Sequence, residues 1–261
     1  MKICHLCKSK PTIKYSHVIP AFVCKAIKKA STGYLRLDKS PNKRVQDSDK
    51  HPLLCTDCEQ RFGRREKIFN DCIFKNFFDL NQFNFKYGDW LHYFITSVTW
   101  RTLIMDIAAG GIPEKVLSEL KVSENMMRNY LLGEDNLAGL INNHSILFTA
   151  DAESNAPTLS AAIPMIRKGT VGYTLWKDNK FSSIIVNLAG FLCVTHIHLD
   201  QKDTWHNTKV YPIDGKFEFP QNVDSWICAD FLKRVIECYE SRNNLTEEQL
   251  AIIKNAVKVN N

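Results

Sequence analysis

Four cysteines in this chain have the spacing of metal ligands. They form two Cys-x2-Cys pairs, Cys4 with Cys7 and Cys55 with Cys58. Each pair presents two thiolates from one tight turn, and two pairs complete the tetrahedral four-sulfur set that zinc prefers. A closed set leaves no open coordination position, so the spacing predicts a structural zinc ion and not a catalytic one. His5 or Cys24 could replace one ligand, although neither improves on the paired spacing.

The remaining cysteines and the apolar windows indicate in which cellular compartment the protein is expected. The chain has nine cysteines, an odd number, and five of them show no comparable spacing. The amino terminus has no apolar run of the secretory type, and the most apolar windows, 91–109 and 184–197, are interrupted by polar residues. We therefore expect a cytoplasmic protein with reduced thiols, no disulfide framework and no membrane partner.

Between and after the cysteine pairs lie a histidine and two acids. Tyr15 to Pro20 has the pattern of a short strand end with the polar pair Ser16-His17, followed by apolar residues and a proline stop. Glu59 follows the second pair directly and begins a segment typical of a helix start. Glu66 lies seven residues later, nearly two helical turns, so both carboxylates are expected on one face. Glu66 could instead pair with Arg61 or Lys67 on the surface.

The order of these motifs resembles that of HNH (ββα-metal) endonucleases with a supporting zinc site. The resemblance covers roughly residues 1–75. Such proteins run Cys-x2-Cys, then an Asp-His-Ile-x-Pro-like box, then Leu-Cys-x2-Cys followed by His or Asn. The counterparts here are the first cysteine pair, Ser16-His17-Val18-Ile19-Pro20, and Leu54 to Glu59. The resemblance implies that His17 is the general base that activates water, and that Mg²⁺ or Mn²⁺ stabilises the pentavalent phosphate and the leaving oxygen.

Three positions depart from the family pattern. Ser16, a weak ligand, replaces the metal-binding acid or histidine that usually precedes the base. Glu59 stands where the family has His or Asn, and its carboxylate suits a hard metal ion. Glu66 is the second acid that could supply a missing ligand. The middle asparagine of the family has no clear counterpart, and Asp47, Asp49 and His51 are alternatives for its place. The interval from His17 to Cys55 is longer than in compact family members and has room for a helix at 21–30 and a basic loop at 31–50. His17 could also be a buried residue that supports the zinc site.

Positive charge is concentrated in the first part of the chain. Residues 1–75 hold 17 Lys and Arg against 7 Asp and Glu, a balance of +10, whereas residues 76–261 hold 17 against 21, a balance of −4. A basic segment of this kind suits a phosphate backbone, although charges alone are equally typical of a solvated face. Together with the zinc motif they predict binding to nucleic acid, with double-stranded DNA as the preferred partner. The expected contacts are Lys28, Lys29, Arg44, Arg61, Arg64 and Arg65.

The rest of the chain predicts two further regions. Helical periodicity runs from about 63 to 132, with one helix ending near Gly110-Gly111. Arg101 could reach a phosphate, but a pair with Asp106 is favoured. After Gly133 the period changes, and turns such as Asp178-Asn179 and Ala189-Gly190 separate predicted strands at 145–149, 172–176, 182–188, 191–198 and 209–211. Two closing helices follow, at 223–241 and at 247–258 with Thr246 as N-cap. His196 and His198 share one strand, where packing or exposure is favoured over a metal pair.

The predicted fold is therefore α+β, with an N-terminal zinc-stapled ββα-metal (HNH-like) module, central helices, and a C-terminal antiparallel sheet with closing helices. The predicted boundaries are 1–80 for the nuclease module, 81–142 for the helical region and 143–261 for a C-terminal domain. The C-terminal half is expected to serve specificity, ligand sensing, a homo-oligomer or a protein partner.

A metal-dependent endonuclease is the favoured function. Small HNH-like proteins often serve phage defence or mobile elements, and the resemblance carries that association as analogy. The alternatives are a non-catalytic zinc-dependent DNA- or RNA-binding protein, which needs only zinc and basic residues, and a scaffold whose C-terminal half carries the function.

Overall fold

In the N-terminal part, short strands alternate with helices that begin and end at clear signals. The computed structural model describes residues 2–31, 33–37, 40–149 and 162–259, and its mixture of helix and sheet agrees with the predicted α+β class. The elements are β1 (Ser16–His17), α1 (Ala21–Lys29), β2 (Leu35–Leu37), β3 (Ser40–Val45), β4 (Lys50–His51) and α2 (Thr56–Phe69). Helix α1 begins directly after Pro20, as predicted. β1 pairs with β4, and β2 pairs with β3, both antiparallel.

The central helices start where α2 ends. A π-helical turn (Asn70–Phe74) continues α2 into α3 (Lys75–Leu80), which is followed by β5 (Lys86–Tyr87), α4 (Asp89–Ala109) and α5 (Glu114–Leu132). Helix α4 ends at Gly110, as the sequence predicts. Its buried side chains lie on all sides, which is the pattern of a helix enclosed by other elements. None of the helices in the described ranges is long and apolar enough to cross a membrane.

A four-stranded antiparallel sheet forms most of the C-terminal part. Its strands are β6 (Asn142–Leu147), β7 (Thr170–Lys177), β8 (Phe181–Leu188) and β9 (Phe191–His198), in the order β6-β9-β8-β7. Strands β8 and β9 are buried almost throughout because both faces of the sheet are covered. One face packs on α4. At Gly172, a Cβ atom would lie 2.9 Å from the Thr102 hydroxyl of α4, so glycine permits this close approach.

Short elements complete the chain. They are a 3-10 turn (Asp135–Leu140), α6 (Ile163–Ile166), β10 (Thr204–His206), β11 (Gly215–Lys216), β12 (Asn222–Asp224), α7 (Trp226–Glu240), a second 3-10 turn (Ser241–Asn244) and α8 (Glu247–Val259). Ser225 caps α7, and Thr246 accepts a hydrogen bond from the Gln249 amide of α8 as predicted. The strand predicted at 209–211 is wrong, because Lys209 makes only an isolated bridge to His144.

The apolar cores run through several parts of the chain. One joins α1, the π-helical turn, α4 and the sheet, and a second joins both cysteine pairs to α4 and α5. A third lies under α6 and α7 on the other face of the sheet. Helix α4 contributes to the first two cores, so it connects the cysteine-rich part to the sheet. The division at residues 80 and 142 stays a prediction.

Candidate active site

Each cysteine pair is shaped by its local backbone. Lys8 closes the first turn by donating its amide to the Cys4 carbonyl at 3.0 Å, and it adopts the left-handed conformation with φ 55°. Cys55 precedes the first turn of α2 in extended conformation, and Cys58 lies within that turn. The two turns are joined because the His5 amide donates to the Leu53 carbonyl at 2.9 Å. The fold therefore brings together two pairs that are separated by 47 intervening residues.

The four sulfur atoms have the arrangement of a metal site. All four Sγ atoms lie within 4.8 Å of one another, and those of Cys7 and Cys55 are 3.8 Å apart. Zinc–sulfur bonds of about 2.3 Å in a tetrahedron place sulfurs about 3.8 Å apart, so the set could hold a metal such as zinc. Neither His5 nor Cys24 belongs to it. The structure describes all nine cysteines as free thiols.

Burial affects the ionisation of these thiols. It raises the pKa of Cys4 and of Cys58, which favours the neutral thiol where no metal compensates. Burial also acts to raise the pKa of Cys7, but the Ser9 hydroxyl and the Ser9 and Lys10 amides outweigh it and lower that pKa to about 6. A bound cation would supply the missing compensation, since zinc ligands are thiolates.

The β1–β4 pair places Ser16 and His17 beside the start of α2. Ser16 pairs with His51 and is fully buried. Its hydroxyl accepts a hydrogen bond from the Leu54 amide at 3.1 Å, and the same side chain acts to lower the pKa of the nearby Glu59 carboxyl. Serine thus fastens the strand to the helix, where an acid would set a second buried negative charge beside Glu59. This contact gives a structural reason for the departure from the family pattern at position 16.

Asp47 is the polar partner of the His17 ring. Its Oδ2 atom lies 3.2 Å from His17 Nε2 and 2.7 Å from Lys50 Nζ. Burial acts to raise the pKa of Asp47, but hydrogen bonds from Lys50 and His17 outweigh it and hold that pKa at about 2. Of the three residues open for the middle position of the motif, Asp47 is therefore the one in contact with His17.

Glu59 lies in the first turn of α2 and has an unusual environment. Its Oε2 atom is buried and makes no hydrogen bond within the described part of the chain. Burial raises the pKa of Glu59, and the nearby charge of Glu66 adds to this effect, whereas Arg101, Ser16 and His17 oppose it. A buried carboxylate oxygen without a partner is costly in a folded protein. Such an atom is suited to binding a cation.

Glu66 is paired inside the protein. Its Oε1 atom lies 2.8 Å from Nη2 of Arg101, an arginine that is only 1% exposed. The predicted pairing of Arg101 with Asp106 is wrong, because Asp106 instead accepts the Thr174 amide of β7 at 2.6 Å. Glu66 likewise forms no surface ion pair with Arg61 or Lys67 in the described part of the chain. Glu59 and Glu66 both lie on α2, nearly two helical turns apart, so they share one face of that helix, as their spacing predicts.

The predicted catalytic residues do not form a compact ligand group. Within the described ranges, the four cysteines are the one set of three or more His, Cys, Asp or Glu residues with ligand atoms this close together. His17, Glu59 and Glu66 are neighbours around Arg101, but Arg101 already neutralises Glu66. Glu59 is therefore the acid best placed to hold a metal ion, and Mg²⁺ usually needs only one or two carboxylates in addition to water and phosphate oxygens.

The predicted nucleic-acid contacts fall into two groups. Arg61 donates to the Leu132 carbonyl at the end of α5 at 2.9 Å, and the Arg65 guanidinium lies 5.4 Å from the Tyr93 ring centroid. Both are half-buried and already have partners in the protein. Lys29, Arg44 and Arg64 are exposed, while Lys28 is half-buried and donates to the Gln46 carbonyl at 2.6 Å. The binding surface is therefore expected to involve chiefly the exposed group.

His196 and His198 have different surroundings although they lie on one strand. The register shifts between Ser182 and Ser183, so that His196 is buried and His198 is exposed. His196 Nδ1 hydrogen-bonds to the Ser183 hydroxyl at 2.8 Å, and its ring packs on His144, with 4.8 Å between centroids. His198 pairs with Glu119 at 3.4 Å. Packing and exposure thus account for the two histidines, as favoured from the sequence.

Buried histidines predict loss of stability in acid. Burial lowers the pKa of His92 to about 4, of His144 to about 3, and of His196 well below its usual value. The unfolded chain binds protons near pH 6.5 while the folded chain does not, so their stabilising effect is complete above pH 6.5 and is lost as the pH falls towards 4. Each histidine can contribute a slope of up to about 1.4 kcal/mol per pH unit.

Denaturant unfolding between pH 7 and pH 5 checks this expectation. His144→Gln should reduce the dependence of the unfolding free energy on pH, and the matched variant His206→Gln, at an exposed histidine, should leave it unchanged. Equal slopes in both variants would contradict the role assigned to the buried ring.

Comparison with known proteins identifies no relative. The chain matches no protein-family model, no curated protein and no solved structure.

Proposed function

We propose that this chain is a metal-dependent endonuclease that hydrolyses phosphodiester bonds, with His17 as general base and Glu59 as ligand of a divalent metal ion. One observation carries the proposal. A histidine held by a carboxylate, Asp47, follows Ser16 on β1, and its charge acts to lower the pKa of Glu59, whose buried Oε2 atom makes no hydrogen bond in the described structure. His17 is positioned by the β1–β4 pair and Glu59 by α2, which also carries Cys58 of the four cysteines that we propose hold a structural zinc ion.

The contact with Asp47 favours one form of the His17 ring. Asp47 is ionised at neutral pH because its pKa is about 2, so it accepts a hydrogen bond from Nε2–H of His17. In a neutral ring the lone pair then resides on Nδ1. That nitrogen removes a proton from water, the water oxygen bonds to phosphorus, and the bond from phosphorus to the leaving oxygen breaks. The leaving oxygen is protonated by solvent.

The metal ion would be Mg²⁺ or Mn²⁺, held by Glu59 together with water and phosphate oxygens. When bound, it stabilises the charge that develops on the phosphate and on the leaving oxygen. Burial and the missing hydrogen bond at Glu59 Oε2 fit such a ligand, since an incoming cation offsets the cost of the buried charge.

The test of the proposal is cleavage by the 261-residue chain. Supercoiled and linear DNA, single-stranded DNA and RNA are incubated with the zinc-loaded protein and either Mg²⁺, Mn²⁺ or EDTA. Cleavage that requires the divalent metal is expected, with DNA the preferred substrate. If no nucleic acid is cut under any of these conditions, the nuclease proposal fails.

A non-catalytic nucleic-acid-binding protein is the second candidate. It is favoured by the absence of a metal-binding acid at Ser16 and by the pairing of Glu66 with Arg101, which together leave Glu59 as the one proposed ligand from the chain. Binding without cleavage in the same assay would support this candidate.

Either candidate predicts salt-dependent binding through exposed basic residues. Arg64→Gln should lower the slope of log affinity against log salt by up to about 0.9 if that arginine contacts one phosphate of duplex DNA. Arg61→Gln, three residues earlier on α2, is the matched control. It should reduce stability but leave the slope unchanged, because Arg61 binds the end of α5. Equal slopes for the wild type and Arg64→Gln would place the interface elsewhere.

A further inference from the structure

Arg101 is a buried cation that touches the candidate site from outside the N-terminal region. It lies on α4, between residues that anchor that helix to the sheet, and it is 1% exposed. Burial of a guanidinium is unfavourable unless its charge and its donors are matched, and an apolar side chain would fill the same space at lower cost. Its contacts therefore need an explanation other than packing.

The guanidinium joins the two elements that carry the proposed catalytic groups. Nη1 donates to the backbone carbonyl of His17 at 2.9 Å, and Nη2 lies 2.8 Å from Glu66 Oε1, an ion pair without linear hydrogen-bond geometry. Nε donates to the Ser97 carbonyl of α4 itself at 3.2 Å. Arg101 thus contacts β1 through His17 and α2 through Glu66. The planar, forked guanidinium can serve several acceptors in a fixed relation, which a lysine cannot.

Besides Arg101, the backbone around His17 is held by the neighbouring Ser16, which accepts the Leu54 amide, and by the short β1–β4 pair. Strand β1 consists of two residues and pairs only with the two-residue strand β4 in its sheet. Asp47 contacts the ring of His17, and Arg101 contacts its main chain. The same guanidinium fixes α2, whose first turn carries Glu59. The distance from base to proposed metal ligand therefore depends on Arg101.

The turn of α4 that carries Arg101 is attached to the sheet. Two residues within one turn of Arg101 on α4 contact the sheet. The Thr99 hydroxyl lies 2.8 Å from the Thr195 hydroxyl of β9, and Thr102 packs closely on Gly172 of β7. The guanidinium also lies over the Phe62 ring of α2, with 5.4 Å from Cζ to the centroid. Helix α4 therefore contacts the sheet through Thr99 and contacts β1 and α2 through Arg101.

We propose that Arg101 is a positioning residue that sets the placement of His17 relative to Glu59 by binding the His17 carbonyl and Glu66 together. This inference rests on the proposed function for its catalytic consequence. The geometric part, the placement of His17, can be tested without any activity.

The test separates the ion pair from the contact with His17. Arg101→Met alone leaves Glu66 without its partner and could unfold, so the informative variant is Arg101→Met combined with Glu66→Gln, which removes both charges together. Glu66→Gln alone keeps the guanidinium on the His17 carbonyl. Arg61→Met is the matched control. Arg61 also donates to main-chain carbonyls, but these belong to Leu131 and Leu132 at the end of α5.

Zinc content and thermal unfolding report the fold of each variant, and ¹⁵N chemical shifts of the His17 ring report its tautomer. The ring of the wild type, of Glu66→Gln and of Arg61→Met should remain in the Nε2–H form. The double variant should keep its zinc but show a mixture of tautomers, and its cleavage rate should fall about 100-fold, the effect typical of a displacement near 1 Å.

Two results would overturn the inference. One is a folded double variant with the wild-type His17 shifts, and the other is a loss of the single tautomer in Arg61→Met to the same extent. If the wild-type protein cuts no substrate, the nuclease proposal fails, while the chemical shifts still decide whether Arg101 positions His17.

Discussion

His17→Ala is expected to lower metal-dependent cleavage by about 10²- to 10⁴-fold, the usual contribution of a general base. Zinc content, thermal unfolding and DNA affinity should remain close to those of the wild type, because the ring lies partly exposed and contacts Asp47. Cleavage rates under single-turnover conditions, with DNA binding measured in parallel, provide the check. Loss of zinc or of folding in this variant would instead favour a supporting role for His17 beside the cysteine pairs.

Glu59→Gln distinguishes a metal ligand from a base. This variant should also cleave poorly, but a higher concentration of Mn²⁺ should restore part of the rate, since the amide weakens metal binding and leaves His17 in place. His17→Ala should show no such recovery. Equal insensitivity of both variants to metal would contradict the role of Glu59.

Replacement of Cys55 and Cys58 by serine is expected to release one zinc ion per chain and to unfold the N-terminal region. Metal binding and folding share their free energy in such sites, where zinc contributes roughly 10–16 kcal/mol in small peptides. The effect should extend beyond the cysteine pairs, because Leu53 and Leu54 share a core with α4 and α5. Metal analysis and denaturant unfolding test this result.

Cys72→Ser is the matched control for the zinc prediction. Cys72 is exposed in the π-helical turn and lies outside the four-sulfur set. Its replacement should change neither zinc content nor the unfolding midpoint. Full stability of the double serine variant in the absence of metal would show that the four sulfurs are not a structural zinc site.

Local signals in the sequence predicted a large part of the fold. The paired spacing of the cysteines predicted the four-sulfur set, the proline at position 20 predicted the start of α1, and Gly110 predicted the end of α4. Strands β8 and β9 were predicted because an apolar run is broken by the Ala189-Gly190 turn. These features depend on residues that are neighbours in sequence, or on a ligand set with a characteristic spacing.

Features that depend on distant partners were not predicted. The β2–β3 pair lies in a basic segment without apolar alternation, and the sequence indicated a loop there. The pairing of Arg101 with Glu66 joins residues 35 positions apart, whereas the nearer acid, Asp106, was preferred from the sequence. Asp47 was one of three alternatives because only the path of the chain between β3 and β4 brings it to His17.

The position of Arg101 on α4 has a consequence during protein synthesis. Arg101 is added 42 residues after Glu59, a delay of about 2 to 8 s at a translation rate of about 5–20 residues per second. Throughout that interval the nascent chain holds His17, Glu59 and all four cysteines, but not the guanidinium of Arg101. The proposed nuclease therefore remains incomplete beside the messenger RNA that encodes it, and chains that terminate before α4 are released without an assembled site.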